Sequence, residues 1–221
     1  MSIAENIKHY QSQMPAQTEL IAVSKTKPIE DLQQAYDAGQ RLFGENKALE
    51  MRDKHEALPK DILWHFIGHL QTNKVKYIVP FVAMIHSVDS LKLLCEINKE
   101  AKKCGRVVDC LLQVDIAHEE TKFGMDDEQI EQLLISETFK ELENVRICGL
   151  MGIGSITDDM NQTQKEFHHL QELFERIKER FFQNKDSFKH LSMGMSHDYE
   201  VAISEGSTLV RIGSSIFGLR D

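Results

Sequence analysis

Lys25 stands at the end of a short apolar run, Ile21-Ala22-Val23-Ser24, and this position could give its side chain unusual chemistry. A lysine at the end of a buried strand is partly desolvated. Desolvation lowers the pKa of its ammonium group and frees the neutral amine that forms an imine with a carbonyl. The alternative is a lysine that pairs with a neighbouring carboxylate and takes part in no reaction. The position of Lys25 alone does not decide between the two.

Two segments that contain glycine and serine could bind a phosphate group. They are Ser192-Met193-Gly194-Met195-Ser196 and Gly213-Ser214-Ser215, and Arg211 stands just before the second. Glycine permits close approach of a backbone, while serine hydroxyls and exposed N–H groups donate to an anion without adding charge. Ordinary turns also use glycine and serine. The presence of two such segments, together with Lys25, favours a phosphate-bearing ligand.

The elements that would position these residues are short apolar, β-rich runs, each followed by a segment with helical periodicity. This alternation predicts a parallel sheet built from βαβ units. The predicted strands are Leu20 to Ser24, Arg41 to Phe43, Leu63 to Phe66, Ala83 to His86, Val107 to Val114, Val145 to Met151, Phe188 to Leu191 and Thr208 to Ile212. Eight strands in a chain of 221 residues predict an α/β fold, a single (β/α)8 TIM barrel domain spanning residues 1–221. In this fold the loops after the strands form the active face, and the last two loops commonly bind phosphate.

Helix signals support the same architecture. The segment Ile29 to Ala38 stops at Gly39, and Asp89 is predicted as the N-cap of the helix that follows the fourth strand. The longest helix is predicted from about Asp159 to Asn184, with an apolar stripe that faces the core. An additional helix, about Ile3 to Met14, precedes the first strand and is expected to cover the bottom of the barrel.

Composition and charge exclude several classes of protein. A chain with 41% hydrophobic and 28% charged residues can bury a full core. Its formal net charge of -9 disfavours nonspecific binding to nucleic acid or to an anionic membrane.

The four cysteines show no metal-ligand spacing, so we expect free thiols in a reducing compartment and no zinc. His65 and His69 are separated by Gly68 and by the end of a strand, so they are not expected to bind zinc either. The start of the chain lacks a secretion signal, and we expect a cytoplasmic protein.

Several long motifs resemble those of the pyridoxal phosphate (PLP) homeostasis proteins, which are similar to the barrel domain of alanine racemase. The matching blocks occur in the same order along nearly the whole chain. They are Ala22-Val23-Ser24-Lys25-Thr26-Lys27-Pro28, Phe43-Gly44-Glu45-Asn46, Trp64-His65-Phe66-Ile67-Gly68-His69-Leu70-Gln71-Thr72-Asn73-Lys74, His86-Ser87-Val88-Asp89, Gly149-Leu150-Met151-Gly152-Ile153, Leu191-Ser192-Met193-Gly194-Met195-Ser196 and Val210-Arg211-Ile212-Gly213-Ser214-Ser215-Ile216-Phe217-Gly218. The resemblance implies a TIM barrel that binds PLP.

The resemblance also implies roles for individual residues. Lys25 would form the internal aldimine with PLP, and Arg211 would face the pyridine nitrogen. The phosphate would be held by Ser192, Gly213 and Ser214, with Ser196 as a further phosphate contact. The ring would be lined by Asn46, His65, Ser87 and Met151. Lys27 and Lys122 correspond to lysines that could make secondary contacts with the cofactor, although solvated side chains are the favoured interpretation.

The match is weaker in the segment from Asp115 to Gly124. There the resemblance implies an asparagine near position 115 and a residue smaller than phenylalanine near position 123, whereas this chain has Asp115 and Phe123. The cofactor contacts made by this loop are therefore not carried over.

The resemblance implies a carrier or buffer of PLP that lacks efficient catalysis. PLP draws electrons into a protonated pyridine ring, and an arginine that faces the ring nitrogen does not readily supply that proton. A racemase of this fold also takes a second base from an added β domain and a partner subunit. The chain ends at Asp221, directly after the eighth unit, so we expect that domain to be absent. We expect a monomer, with apo forms of PLP-dependent enzymes as candidate recipients of the cofactor.

Two other functions remain as alternatives. The first is a weak PLP-dependent amino-acid racemase in which a resident base such as His65 replaces the missing group. The second disregards the resemblance and treats the chain as a phosphate-binding barrel enzyme that forms a lysine imine, as an aldolase does. A visible chromophore in the isolated protein would count against the aldolase-like alternative, because sugar phosphates do not supply one.

Overall fold

Eight parallel strands close into a barrel in the computed structural model, which describes residues 2–117 and 123–218. Each strand pairs with the next one along the chain, and β8 pairs with β1 to complete the ring. The strands are β1 Glu19–Val23, β2 Leu42–Glu45, β3 Leu63–Phe66, β4 Met84–Val88, β5 Val108–Val114, β6 Val145–Gly152, β7 His190–Met195 and β8 Leu209–Ile212. The predicted TIM barrel is confirmed.

Helices surround the barrel on its outer face. They are α1 Ile3–Gln13, α2 Ile29–Asp37, α3 Ala48–Ala57, α4 Val75–Ile78, α5 Leu91–Lys103, α6 Asp127–Ile135, α7 Glu137–Lys140, α8 Met160–Phe181, α9 Tyr199–Ser204 and α10 Ser214–Phe217, with a 3-10 helix over Thr72–Lys74. The longest of them, α8, is rich in charged residues on its outer face. Within the described part of the chain, no helix has the length and apolar character that crossing a membrane requires.

Alternating side chains divide the core into two layers, because successive strand residues point to opposite faces. The larger layer lies between strands and helices and includes Phe43, Trp64 and Phe167. A smaller apolar cluster fills the barrel interior and consists of Ile21, Met84, Leu111, Cys148, Met151 and Leu209. This inner cluster closes the barrel below the rim where the strands end.

Helix α1 lies on the side of the barrel, and the prediction that it covers the bottom is wrong. Its first turn lies beside the loop after β8, where Asn6 Nδ2 donates to the Ile216 carbonyl, 3.0 Å away. Its last turn reaches Tyr199 of α9, whose hydroxyl donates to Gln13. The helix packs against α2 and β1 and buries Ile7 completely. It therefore lies on the outer side of the barrel, beside α10, the four-residue helix that follows β8.

The N-cap of α5 is Ser90, not Asp89 as predicted. Ser90 Oγ accepts a hydrogen bond from the Leu93 N–H, which satisfies one of the unpaired donors of the first turn. Asp89 contacts the imidazole of His69 instead. The other carboxylate oxygen of Asp89 accepts from the Ser90 hydroxyl at 3.2 Å, so Asp89 contacts the cap residue without forming the cap.

Strand β7 begins and ends later than predicted. The predicted junction Ser192-Met193-Gly194-Met195-Ser196 is strand up to Met195, and only Ser196 lies beyond it. Pairing with β8 continues to the Met195–Arg211 pair after a shift in register. Serine and glycine favour a loop locally, but the neighbouring strands extend the sheet through them. As a result, Ser192 lies inside the barrel wall.

Candidate functional site

A cavity of about 450 Å³ opens at the carboxyl ends of the barrel strands. Its wall combines a lysine, an arginine, hydroxyl groups and apolar side chains. The lining residues are Val23, Lys25, Asn46, Ile67, Gly68, His69, Gln113, Val114, Asp115, Phe123, Ile153, Met195, Ser196, His197, Arg211, Gly213 and Ser214. This is the face on which barrel enzymes and cofactor-binding barrels carry their sites.

The structure brings some of the predicted cofactor-binding residues to this wall and leaves others beneath it. On the wall are Lys25, Asn46, Ser196, Arg211, Gly213 and Ser214. Below it, buried within the barrel, are His65, Ser87, Met151 and Ser192. Lys27 is half-buried in the loop after β1, and Lys122 lies outside the described residues.

The loop that carries Lys25 is fixed on both sides by charged groups, the buried Lys54 and the half-buried Glu50. On one side, Lys54 Nζ donates to the Ser24 carbonyl at 2.8 Å. On the other side, the Thr26 N–H donates to Glu50 Oε1 at 2.6 Å, and Thr26 has the unusual positive φ of 66°. Tight anchoring of both flanking residues limits the directions in which the Lys25 side chain can leave the strand.

Lys54 and two carboxylates form a network that we call the Lys54 network, consisting of Ser24, Glu45, Glu50 and Lys54. Lys54 Nζ lies 2.8 Å from Glu45 Oε1 and 2.7 Å from Glu50 Oε1. The Ser24 hydroxyl donates to the same Glu45 oxygen at 2.7 Å. Burial raises the pKa of Glu45, while the charge of Lys54 and its hydrogen bond oppose that rise. The ammonium group of Lys54 thus keeps a fully buried carboxylate in place beside Ser24, the residue before Lys25.

Arg211 lies at the bottom of the cavity and is almost completely buried. One terminal nitrogen donates to Ser192 Oγ at 2.6 Å and the other to the Gly152 carbonyl at 2.9 Å. Burial lowers the pKa of Arg211 to about 10, so its guanidinium stays charged at neutral pH. The cavity wall therefore presents the positive charge of Arg211, whose guanidinium is held in place by the neutral oxygen atoms of Ser192 and Gly152.

Ser196, Gly213 and Ser214 meet at one corner of the cavity. The Gly213 N–H and the Ser214 hydroxyl each lie 3.4 Å from Ser196 Oγ. A Cβ at position 213 would lie 3.0 Å from the Val23 carbonyl oxygen, so a side chain there would crowd the end of β1. The corner supplies small donors without a carboxylate among them, which suits an anionic group.

Comparison with known proteins identifies the family. The family model described as alanine racemase, N-terminal domain, matches residues 1–221. A pyridoxal phosphate homeostasis protein of Aquifex aeolicus (strain VF5) is 44% identical over 202 residues, covering 91% of this chain and 86% of that protein. Another from Pasteurella multocida (strain Pm70) is 36% identical over 225 residues, covering 99% and 95%. The chain belongs to the pyridoxal phosphate homeostasis protein family.

Solved structures agree with this family assignment. PipY of Synechococcus elongatus PCC7942 without PLP has a TM-score of 0.92 at 36% identity, covering 98% of this chain and 100% of that one. The same protein with PLP bound has a TM-score of 0.88 at 35% identity, with the same coverage. Alanine racemase from E. faecalis, at 15% identity and a TM-score of 0.74, shares the barrel and extends beyond it, since only 58% of that chain is covered.

Several residues on the wall of this pyridoxal phosphate homeostasis family member were not predicted as site residues. His69 stacks on Phe123 with ring centroids 3.8 Å apart, and Gln113 donates to the Phe123 carbonyl. Asp115 also lines the cavity. The departures from the family motifs at positions 115 and 123 thus fall on the cavity wall. The weaker match over this segment was the signal that marked them.

The Lys54 network was also missed in this family member. A glutamate directly after an apolar strand, as in Phe43-Gly44-Glu45, requires a partner if it is buried. Lys54 is a possible partner, since it lies four residues after Glu50 in α3, the helix that follows β2. The sequence contained that signal, but the distance between Glu45 and Lys54 becomes evident only in the folded barrel.

Two buried histidines make the stability of this family member sensitive to acid. Burial lowers the pKa of His65 to about 3 and holds that of His86 well below its ordinary value. Below a pH of about 6.5, unfolded histidines bind protons that these folded ones do not. The free energy of unfolding should therefore fall as the pH drops from about 6.5 toward 3, by on the order of 1 kcal/mol per pH unit for each histidine.

Urea unfolding at several pH values between about 4.5 and 6.5 tests this expectation. The His65→Asn variant cannot take up the extra proton at position 65 when it unfolds. Its free energy of unfolding should consequently depend less steeply on pH than that of the wild type. Equal slopes for the two proteins would contradict the assignment of a neutral, buried imidazole at position 65.

Proposed function

We propose that this protein binds pyridoxal 5'-phosphate in the cavity at the strand ends and serves as an intracellular carrier or buffer of that cofactor. The observation that carries the proposal is the placement of Lys25, Arg211 and the Ser196–Gly213–Ser214 corner on the wall of one cavity. The amine of Lys25 can react with an aldehyde, the guanidinium of Arg211 can donate to a ring nitrogen, and the small donors of the corner can bind a phosphate. PipY, 35% identical over nearly the whole chain, has been solved with PLP bound.

The predicted cofactor-binding residues on the wall each have a proposed role. Lys25 attaches the cofactor covalently as an imine, and Arg211 donates to the pyridine nitrogen. Ser196, Gly213 and Ser214 donate to the phosphate. Asn46 contacts the ring, and its Oδ1 is a buried acceptor without a partner among the described residues, which a bound ligand or water would satisfy.

The residues beneath the wall have supporting roles in this proposal. In place of the predicted phosphate contact, we assign Ser192 to the support of Arg211, since its hydroxyl is buried and accepts from that guanidinium. Met151 packs in the apolar cluster of the barrel interior. His65 contacts His86, and Ser87 is fully buried. These side chains shape the bottom of the site from below.

Weak catalysis follows from the same geometry. PLP supplies an electron sink whose strength depends on protonation of the ring nitrogen, and Arg211 remains a donor that keeps its own protons. The alternative of a weak racemase needs a base that reaches the substrate carbon. His65 does not fit that role, because it is buried, contacts His86 and has a pKa lowered to about 3 by that burial.

The proposal is tested by following cofactor and substrate in the same sample. Protein loaded with PLP and freed of unbound cofactor is incubated with L-alanine, and D-alanine is measured by chiral chromatography. We expect a retained visible band, no conversion above that of free PLP, and recovery of activity when an apo PLP-dependent enzyme is added. Conversion that depends on Lys25 would favour the racemase. Absence of a retained band would remove the PLP-binding proposal itself.

A further inference from the structure

A chain of buried polar side chains runs from Arg211 into the barrel. Arg211 contacts Ser192 Oγ, which lies 2.9 Å from His86 Nδ1, and His86 Nε2 lies 2.8 Å from His65 Nδ1. Ser192 and His86 are completely buried, and His65 nearly so. The chain joins β8, β7, β4 and β3 through the interior directly below the cavity.

The donor of each contact in this chain can be assigned from chemistry. A guanidinium has only donors, so Ser192 Oγ must accept from Arg211. The Ser192 hydroxyl hydrogen is then accepted by His86 Nδ1. With Nδ1 as acceptor, a neutral His86 carries its proton on Nε2 and donates it to His65 Nδ1. Each of the three contacts then has one donor and one acceptor, whereas the reverse tautomers would leave the Ser192 hydroxyl hydrogen without an acceptor in this chain.

This direction matters for Arg211. A serine hydroxyl rotates, and a hydrogen that pointed toward the guanidinium would repel it. By accepting that hydrogen, His86 turns the oxygen lone pairs of Ser192 toward Arg211. The imidazoles stay neutral because burial disfavours their protonated forms, so His86 adds no positive charge beside the guanidinium.

We propose that His86 is a positioning residue that acts through Ser192 to hold Arg211 in the orientation required at the bottom of the cavity. This inference rests on the proposed function, because Arg211 is assigned there to the pyridine nitrogen of PLP. His86 itself is below the cavity wall and does not touch the ligand. Its influence on binding must therefore pass through the Ser192 hydroxyl.

A double-mutant cycle tests this route. PLP affinity is measured by spectroscopic titration for the wild type, His86→Leu, Ser192→Ala and the double variant. Each single change should weaken binding about tenfold, as expected for the loss of a hydrogen bond to a charged group, and should shift the absorbance maximum of the bound cofactor. The double variant should bind no more weakly than Ser192→Ala, because His86 has no effect once the hydroxyl is gone.

Two further variants separate positioning from general damage. His86→Asn places Oδ1 where the ring has Nδ1, and it should restore affinity to within about twofold of the wild type. His168→Leu, the same leucine substitution on the exposed side of α8, should leave affinity unchanged. Thermal unfolding of the apo proteins identifies any variant that fails to fold. If His86→Leu does not fold, the test rests on Ser192→Ala. An unchanged PLP affinity in Ser192→Ala overturns the proposal.

The remaining outcomes are distinct from one another. Additive losses in the double variant, or wild-type affinity in His86→Leu, would show that His86 does not act through Ser192. A wild type without any bound chromophore would overturn the proposed function and this inference with it. A chromophore in the wild type with a failed cycle would overturn only the role of His86.

Discussion

The Lys25→Ala variant is expected to emerge from a desalting column colourless after incubation with PLP, whereas the wild type keeps a visible band. Lys25 lies on the wall of the cavity at the end of β1, in a loop whose flanking residues are anchored by Lys54 and Glu50. Alanine removes the amine that would attach the cofactor, so only reversible contacts with the other wall residues remain. Absorbance before and after desalting measures the loss.

Borohydride reduction and peptide mapping then identify the attachment point in the wild type. The expected adduct is on Lys25, and Lys47→Ala serves as a matched control because Lys47 is an exposed lysine on the same end of the barrel. A band retained by Lys25→Ala, or an adduct mapped to Lys27, would show that another amine holds the cofactor. Both results would leave the barrel intact and change only the assigned residue.

The fold could be predicted from local patterns because each barrel unit repeats the same alternation. Strand β3 was predicted with the bounds that the structure has, Leu63–Phe66, and α8 begins at Met160, one residue after its predicted start at about Asp159. Apolar runs of this length and helices with one apolar stripe are properties of short segments. They require no knowledge of which distant residues meet.

The polar interior could not be predicted in the same way. His86 and Ser192 are separated by 106 positions, and their contact depends on how β4 and β7 are registered across the barrel. The register of β7 against β8 also shifts between Ser192, which is buried, and Met195, which precedes the cavity residue Ser196. Neither the register shift nor the strand register is contained in the local sequence, so the buried contact between Ser192 and Arg211 could not be predicted from it.

Close approach between loops is a second feature that local patterns do not contain. Gly68 lies against Asn46, and a Cβ at position 68 would lie 2.5 Å from the Cβ of Asn46. The absence of a side chain at Gly68 lets the loops after β2 and β3 touch beside the cavity. Asn46 is thereby held on the wall.

The Lys54→Met variant is expected to lose about 3–5 kcal/mol of stability, because it leaves the buried Glu45 carboxylate without its positive partner. Lys54 is nearly fully buried, and its ammonium group contacts Glu45, Glu50 and the Ser24 carbonyl at 2.7–2.8 Å. Methionine preserves the apolar part of the side chain and removes only the charge and the donors. Urea unfolding of the apo protein measures the change. The loop that carries Lys25 should loosen as well, and retention of PLP should fall.

The direction in which the stability of Lys54→Met changes with pH shows whether Glu45 causes the loss. Burial already raises the pKa of Glu45, and removal of Lys54 removes the main opposing effect. The folded variant then binds a proton more readily than the unfolded chain does, so the stability deficit should shrink as the pH falls. The Lys54→Met/Glu45→Gln double variant should likewise recover stability at neutral pH. Lys99→Met, which breaks an exposed ion pair with Glu96, is the control and should cost less than about 1 kcal/mol. A similarly small loss for Lys54→Met would mean that Glu45 does not depend on Lys54.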